Sequence, residues 1–191
     1  MSTQNKNKDH ASSTRIRMLV YFVAFVFATS TFADVKKEYE VKAAFIVKMV
    51  SFITWPESTS AQTKDISSER LTICIADSKQ ASRKFRDLLL ANGVLEKHFK
   101  VAPLNDLEEC NVLFVSKMPK REYLHLLSNI ESLGPILTFS DSPGYARQGV
   151  MVNFYTEQQK IRFEINWNKM KSKGFAISSR ILKLARIIDG D

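Results

Sequence analysis

The sequence predicts a single α/β domain built on a mostly parallel sheet with βαβ units, flanked by helices and ending in a β-hairpin and a terminal helix. Three observations carry that reading. Short, nearly all-apolar runs, "LTICIAD", "NVLFVS" and "PILTFS", alternate with helix-patterned segments, the pattern of a parallel sheet covered on both faces. Two alternating runs, "VMVNFYT" and "KIRFEIN", flank Glu157, Gln158 and Gln159, the signature of a hairpin. A last apolar-periodic stretch, "ISSRILKLARII", follows it.

The first 33 residues do not belong to that domain. Lys6, Lys8, Arg15 and Arg17 precede the apolar run Met18 to Ala28, and "TSTFA" follows with small residues at Thr31 and Ala33. This is the order of a secretory signal peptide, with cleavage expected after Ala33 and a mature chain from Asp34. The alternative is an uncleaved N-terminal anchor, although the apolar run is short for a membrane span. Residues 34–191 then form one domain of 158 residues, large enough for a real core. Without the leader, 24 basic and 19 acidic side chains leave a net charge of +5, spread without a basic tract or interleaved stacking aromatics. That distribution argues against nucleic acid as a partner.

Element by element, Tyr39, Ala43, Ile46, Val50 and Ile53, with Phe45, Met49 and Phe52 beside them, make a wide helical stripe that Pro56 stops. A polar loop, "STSAQTKDISSER", leads to the strand "LTICIAD". "SKQASRKFRDLLLANG" is a helix with Phe85, Leu88 and Leu89 inward and Gly93 as its stop. "KHFKVAPL" and "NDLEEC" form a brief link to the strand "NVLFVS". A helix beginning near Pro119 precedes the strand "PILTFS". In the second hairpin arm Ile161, Phe163 and Ile165 face one way and Arg162, Glu164 and Asn166 the other. The terminal helix presents Ile181, Leu182, Leu184, Ala185 and Ile188 to the sheet, with Ser178 or Ser179 as N-cap.

Few residues carry chemistry. Gly144 and Gly149 in "DSPGYARQG" lack the spacing of a dinucleotide or phosphate loop and lead into a strand, so a turn is expected there. His98 and His125 are the only histidines of the mature chain, and no nucleophile elbow or acidic cluster accompanies them. No catalytic residue, metal ligand or cofactor is therefore assigned, and an unrecognised hydrolase is the weakest reading. Cys74 and Cys110 are the only cysteines. In an exported chain such a pair is a structural disulfide joining two strands, the alternative being two buried thiols. Glu164, between Phe163 and Ile165, either faces solvent or pairs with Arg180 or a helix lysine. The polar face formed by Arg162, Glu164 and Asn166, with Arg180 on the terminal helix, is the candidate binding surface.

The blocks "EYEVKAAFIVKMVSFITWPE", "LTICIAD", "CNVLFVS", "ILTFSDSPGYARQGVMVNFY", "KIRFEIN" and "GFAISSRILKLARII", in that order and spacing, resemble the YfiR family over essentially the whole mature chain. They depart from it at Gly149–Val150, where members usually carry two adjacent glycines. The resemblance implies a periplasmic repressor that binds the sensor domain of a membrane diguanylate cyclase and is relieved by redox or envelope stress. It also implies a homodimer, and it allows a sensor kinase or an outer-membrane receptor as partner and a small ligand. The second disulfide of some members has no counterpart, so redox control would run through Cys74 and Cys110. The rival function, a small-ligand module serving a sensor kinase or transporter, places a pocket at the carboxyl ends of the parallel strands near "ADSKQ" and "SKMPK".

Overall fold

A computed structural model describes residues 38–56, 71–76, 87, 99–103 and 107–189. The expected leader, the polar loop and nearly all of the helix expected over 78–93 lie outside the described residues. Along the described chain run α1 (38–50), β1 (Ile53–Thr54), β2 (Leu71–Ala76), β3 (Phe99–Pro103) and β4 (Val112–Val115). They are followed by α2 (Lys120–Ser132), β5 (Leu137–Ser140), β6 (Val152–Glu157), β7 (Lys160–Asn166), α3 (Trp167–Ser172), β8 (Ala176–Ile177), α4 (Ser179–Leu182) and β9 (Arg186–Ile188).

Seven strands form one sheet in the order β3-β2-β4-β5-β6-β7-β9, and β1 and β8 pair separately. All pairings in the large sheet are parallel except the β6–β7 hairpin. The α/β fold class read from the sequence is therefore the observed one. Every residue of β4 is buried, and the alternation along it sorts two cores. Val112 and Phe114 join a cluster with Ala43, Ile46, Met49 and Val50 of α1. Leu113 and Val115 join another with Tyr123, Leu126 and Ile130 of α2. A sheet apolar on both faces thus has a helix on each.

Three elements differ from the sequence reading. The first helix ends at 50, and Ile53 lies instead in β1, opposite Ile177. Gly174 explains the exit path: its φ is +78°, and a Cβ there would sit 2.7 Å from the Cβ of Pro56, so the Trp55–Pro56 segment packs on a site only glycine provides. "KHFKVAPL" is no mere link, since Phe99–Pro103 is an edge strand parallel to β2, and an edge tolerates the missing donor of Pro103. The terminal helix is one turn, capped by Ser178. The chain then extends, with Ile187 beside Ile165 in a parallel ladder. The open edge of β7 offers unpaired backbone groups, and pairing them outweighs the helical pattern of a short segment.

Residues 141–151 join the parallel neighbours β5 and β6 through a 3₁₀ turn, Ala146–Gln148, where a crossover helix is the usual solution. This is the expected turn, and it is firmly held. Tyr145 stacks on Tyr123 with ring centroids 4.0 Å apart. The Tyr123 hydroxyl donates to the carbonyls of Gln148 and Tyr145, and the Tyr145 hydroxyl donates to the Met118 carbonyl. Burial, and then the neighbouring Tyr145, push the Tyr123 hydroxyl above the ordinary phenol range, so it stays a neutral donor. Gly149 closes the turn at φ +106°, and Val150 behind it is buried in the α2-side core. On the far end of α2, Lys169 of α3 and Lys173, which caps its end, pair with Glu131. The hydrogen bond from Lys169 is the main cause that lowers the Glu131 carboxyl below its usual range.

The hairpin turn is shorter than the three residues read from the sequence: Glu157 pairs with Lys160, leaving Gln158 and Gln159 at φ +49° and +61°. Left-handed backbone suits Asn-Gly and costs an ordinary residue about 1–2 kcal/mol. Replacing the pair by Asn-Gly should raise stability by about 1 kcal/mol in denaturant titration, with the same slope; a loss of stability would show that the glutamines make a compensating contact.

Candidate binding surface on the open half of the sheet

Among the described residues, β6, β7 and β9 pack against a helix on one face. On the α1 side, Phe154 and Phe163 pack against Phe45 at centroid distances of 6.2 and 6.0 Å. On the other side the ladder aligns Asn153 with Glu164, Tyr155 with Arg162, Glu157 with Lys160, and Glu164 with Arg186. Period-two alternation puts all of these side chains on one face. They bind one another: Asn153 Nδ2 donates to Glu164 Oε1 at 3.2 Å, and Arg186 lies over the Tyr155 ring at 4.3 Å while reaching Glu157 at 3.5 Å. Arg162, Glu157, Lys160 and Arg186 are exposed, and Glu164 is half-buried. The result is a pre-ordered polar lattice over a rigid sheet, a surface suited to contacting another protein through charge and one aromatic ring.

The four residues read from the sequence as this surface separate. Arg162 and Glu164 lie on it side by side with the lattice. Asn166 does not, although alternation gives it the same side: it is fully buried. Its Nδ2 donates to the Ala146 carbonyl, and its Oδ1 caps α3 by accepting from the Lys169 amide. A helix starting at Trp167 needs a cap at the preceding position, and Asn serves it. Arg180 is exposed on α4, whose Ile181 and Leu182 pack with the α1-side core, so it stands on the opposite side of the sheet from Glu164. The partner found for Glu164 is Asn153, in place of Arg180 or a helix lysine. Tyr155 and Arg186, which the sequence reading left out, complete the lattice. Arg186 was hidden by the helical reading of its segment.

Cys74 and Cys110 form a disulfide with Cα atoms 5.7 Å apart. Cys74 lies in β2, but Cys110 sits just before β4, after the 3₁₀ turn Leu107–Glu109. Both are buried in the α2-side core, far from the polar lattice in strand order.

A second polar cluster lies where the strands end. In the order β3-β2-β4-β5 the chain direction of sheet growth reverses between β2 and β4, the position where open parallel sheets form ligand crevices at their carboxyl ends. There Lys42 of α1 binds Asp141, just past β5, at 2.8 Å with side chains 5% and 13% exposed, and the ammonium lies 4.7 Å from the Tyr39 ring centre. Ser116, just past β4, and Ser142 are buried with hydroxyls that have no hydrogen-bond partner among the described residues. Of the two segments expected to line such a pocket, "SKMPK" is here and most of "ADSKQ" lies outside the described residues. The signal for Lys42 was present in the sequence: it interrupts the apolar stripe between Tyr39 and Ile46.

Two measurements test these assignments. Lys42→Ala strands a buried carboxylate and should cost about 3–5 kcal/mol, whereas the paired change Lys42→Met with Asp141→Leu should be nearly neutral; equal losses in thermal unfolding would mean the pair is not coupled. The disulfide closes a sequence separation of 36 residues, so Cys74→Ala with Cys110→Ala should cost about 3–4 kcal/mol. Because both sulfurs are buried, native protein should resist a thiol reductant until denaturant is added; ready reduction of the folded protein would contradict the packing.

Comparison with known proteins places the chain. Residues 39–186 match the family described as YfiR/HmsC-like. No curated protein matches. Among solved structures, a conserved domain protein from Vibrio cholerae O1 biovar El Tor is similar with a TM-score of 0.47 and 12% identity, over 69% of this chain and 59% of that one. An ABC domain from Streptococcus pneumonia, solved in complex with L-Trp, is similar with a TM-score of 0.46 and 10% identity, over 62% and 56%. The chain thus spans under two thirds of the length of either structure. With the family match running through both cores, the disulfide and the polar lattice, this chain belongs to the YfiR/HmsC-like family, whose members are known as regulators of cyclic di-GMP signalling rather than catalysts.

Proposed function

We propose that the protein is exported to the periplasm and represses a membrane signalling protein by binding its sensor domain, a diguanylate cyclase being the first choice of partner. The family match over residues 39–186 carries this reading. The open half-sheet supports it by supplying a rigid surface with exposed charge of both signs. Inhibition by binding needs only that the surface prefer the inactive sensor conformation, and the shift it can impose is limited by that preference: about 1.4 kcal/mol of differential affinity moves the ratio of states tenfold. A homodimer would present two such surfaces to a dimeric sensor.

A small-ligand module coupled to a sensor kinase or transporter is the second reading, favoured by two hydroxyls without a partner among the described residues and by the buried ion pair at the carboxyl ends of the strands. The two readings separate by mutation. Arg162→Glu with Glu164→Lys should release the partner and raise cyclic di-GMP as a deletion does, with protein level and melting temperature preserved, since these side chains are not in the cores. Phe163→Ala should give the same phenotype through loss of about 3–5 kcal/mol and of the protein itself. A deletion strain with unchanged cyclic di-GMP and unchanged output from neighbouring sensor kinases would remove the regulatory reading and leave the ligand-binding one.

A further inference from the structure

α2 presents an exposed surface that neither core uses. Its buried residues are Tyr123, Leu126 and Ile130. Glu122, the acidic residue of the first turn, lies on one flank of the helix, and Glu131, paired with Lys169 and Lys173, shares the other about two turns on; at about 100° per residue, Lys120, Leu124 and Arg121 follow one another around that second flank from the buried stripe to the outermost face. All three are exposed, and Leu124, at 51%, is one of three large hydrophobic side chains that stand out among the described residues.

The adjoining turn adds to the same flank. Leu127, partly buried between Tyr123 and Lys120 around the helix, packs against the α2-side core. A Cβ at Gly149 would meet it at 3.7 Å, so the Ala146–Gln148 turn borders this side of α2. The hydrogen bond from the Tyr123 hydroxyl to the Gln148 carbonyl, 3.0 Å, fixes that arrangement. Arg147 in this turn is exposed. Lys120 and Arg121 therefore stand on either side of a protruding leucine around the helix, with Arg147 in the bordering turn, while the acids Asp141 and Glu131 are held by Lys42 and by Lys169 and Lys173.

We propose that this flank docks on an anionic lipid surface, with Lys120, Arg121 and Arg147 at the level of the phosphates and Leu124 inserted between headgroups. Charge complementarity selects the occupant: cations of one sign around a single exposed apolar side chain match a sheet of phosphates over hydrocarbon, whereas an apolar protein groove would leave the three cations unpaired. The inference stands apart from the regulatory reading, because it uses none of the residues of the open half-sheet and needs no protein partner.

The test is co-sedimentation of the protein recovered from the cell envelope with vesicles of phosphatidylcholine alone or mixed with phosphatidylglycerol. Binding should require phosphatidylglycerol and weaken with salt. Lys120→Gln and Arg147→Gln should each lower the partition coefficient about fivefold, and Leu124→Ser should lower it at every salt concentration, with melting temperatures unchanged. Equal binding to both vesicle types, no binding to the mixed ones, or variants that bind like the parent would overturn the proposal. Variants that lose a purified sensor domain while the parent ignores vesicles would assign the flank to a protein partner instead. Failure of the half-sheet variants to release that sensor domain would speak only to the regulatory reading.

Discussion

Everything in this molecule follows from a sheet that has to be dry on both faces. Val112 to Val115 alternate between two cores and are all buried, so neither α1 nor α2 can leave without exposing half of the central strands. Roughly 25 cal/mol for each Å² of apolar area makes that a strong demand. It is made at the parallel strands alone. Where the sheet turns to the hairpin and β9, one face is wet, and the side chains there are free to serve recognition instead of packing.

That division explains where polar groups are placed. On the wet face, Glu164, Tyr155 and Arg186 are held in position by one another and by the buried Asn153 beneath them, an order that lowers the entropy any contact there would cost. On the dry side, polar groups occur at strand ends and caps, where backbone must be satisfied: Asn166 on α3, Thr138 accepting from the Met151 amide, and Asn111 accepting from the Thr72 amide. The Lys42–Asp141 pair is the exception. A buried ion pair is a poor source of stability compared with apolar packing, and this one sits at the carboxyl end of β5, ringed by the other polar groups of the strand ends.

The parts legible in the sequence were those with a strong period or a chemical restriction. The runs around Cys74, Val112 and Leu137 read as buried strands because both faces are apolar, and α1 read as a helix from its stripe. What failed were segments whose conformation is decided by a distant neighbour. β9 is a strand because β7 has a free edge, and nothing within "KLARII" says so. Asn166 alternates correctly with Glu164 yet is withdrawn from the surface by a helix that begins one residue later. Phe99–Pro103 looked too brief to matter, because an edge strand needs only one neighbour. Of the surface itself, Arg162 and Glu164 could be read from alternation, whereas Arg186 depended on a pairing that sequence spacing does not encode.

The small β1–β8 ladder has a consequence for how the domain comes apart. Ile53 faces Ile177 across it, and the amide of Ser178 donates to the carbonyl of Phe52, so the exit of the first described helix is fastened to the segment just before the last helix and strand. A chain fastened in this way cannot fray from one side alone: detaching β9 and α4 pulls on the anchor of α1, and lifting α1 loosens β8. Opening events that begin at either end of the described domain are thereby converted into a single cooperative unit, and the polar lattice built on β7 and β9 inherits the rigidity of residues more than a hundred positions away.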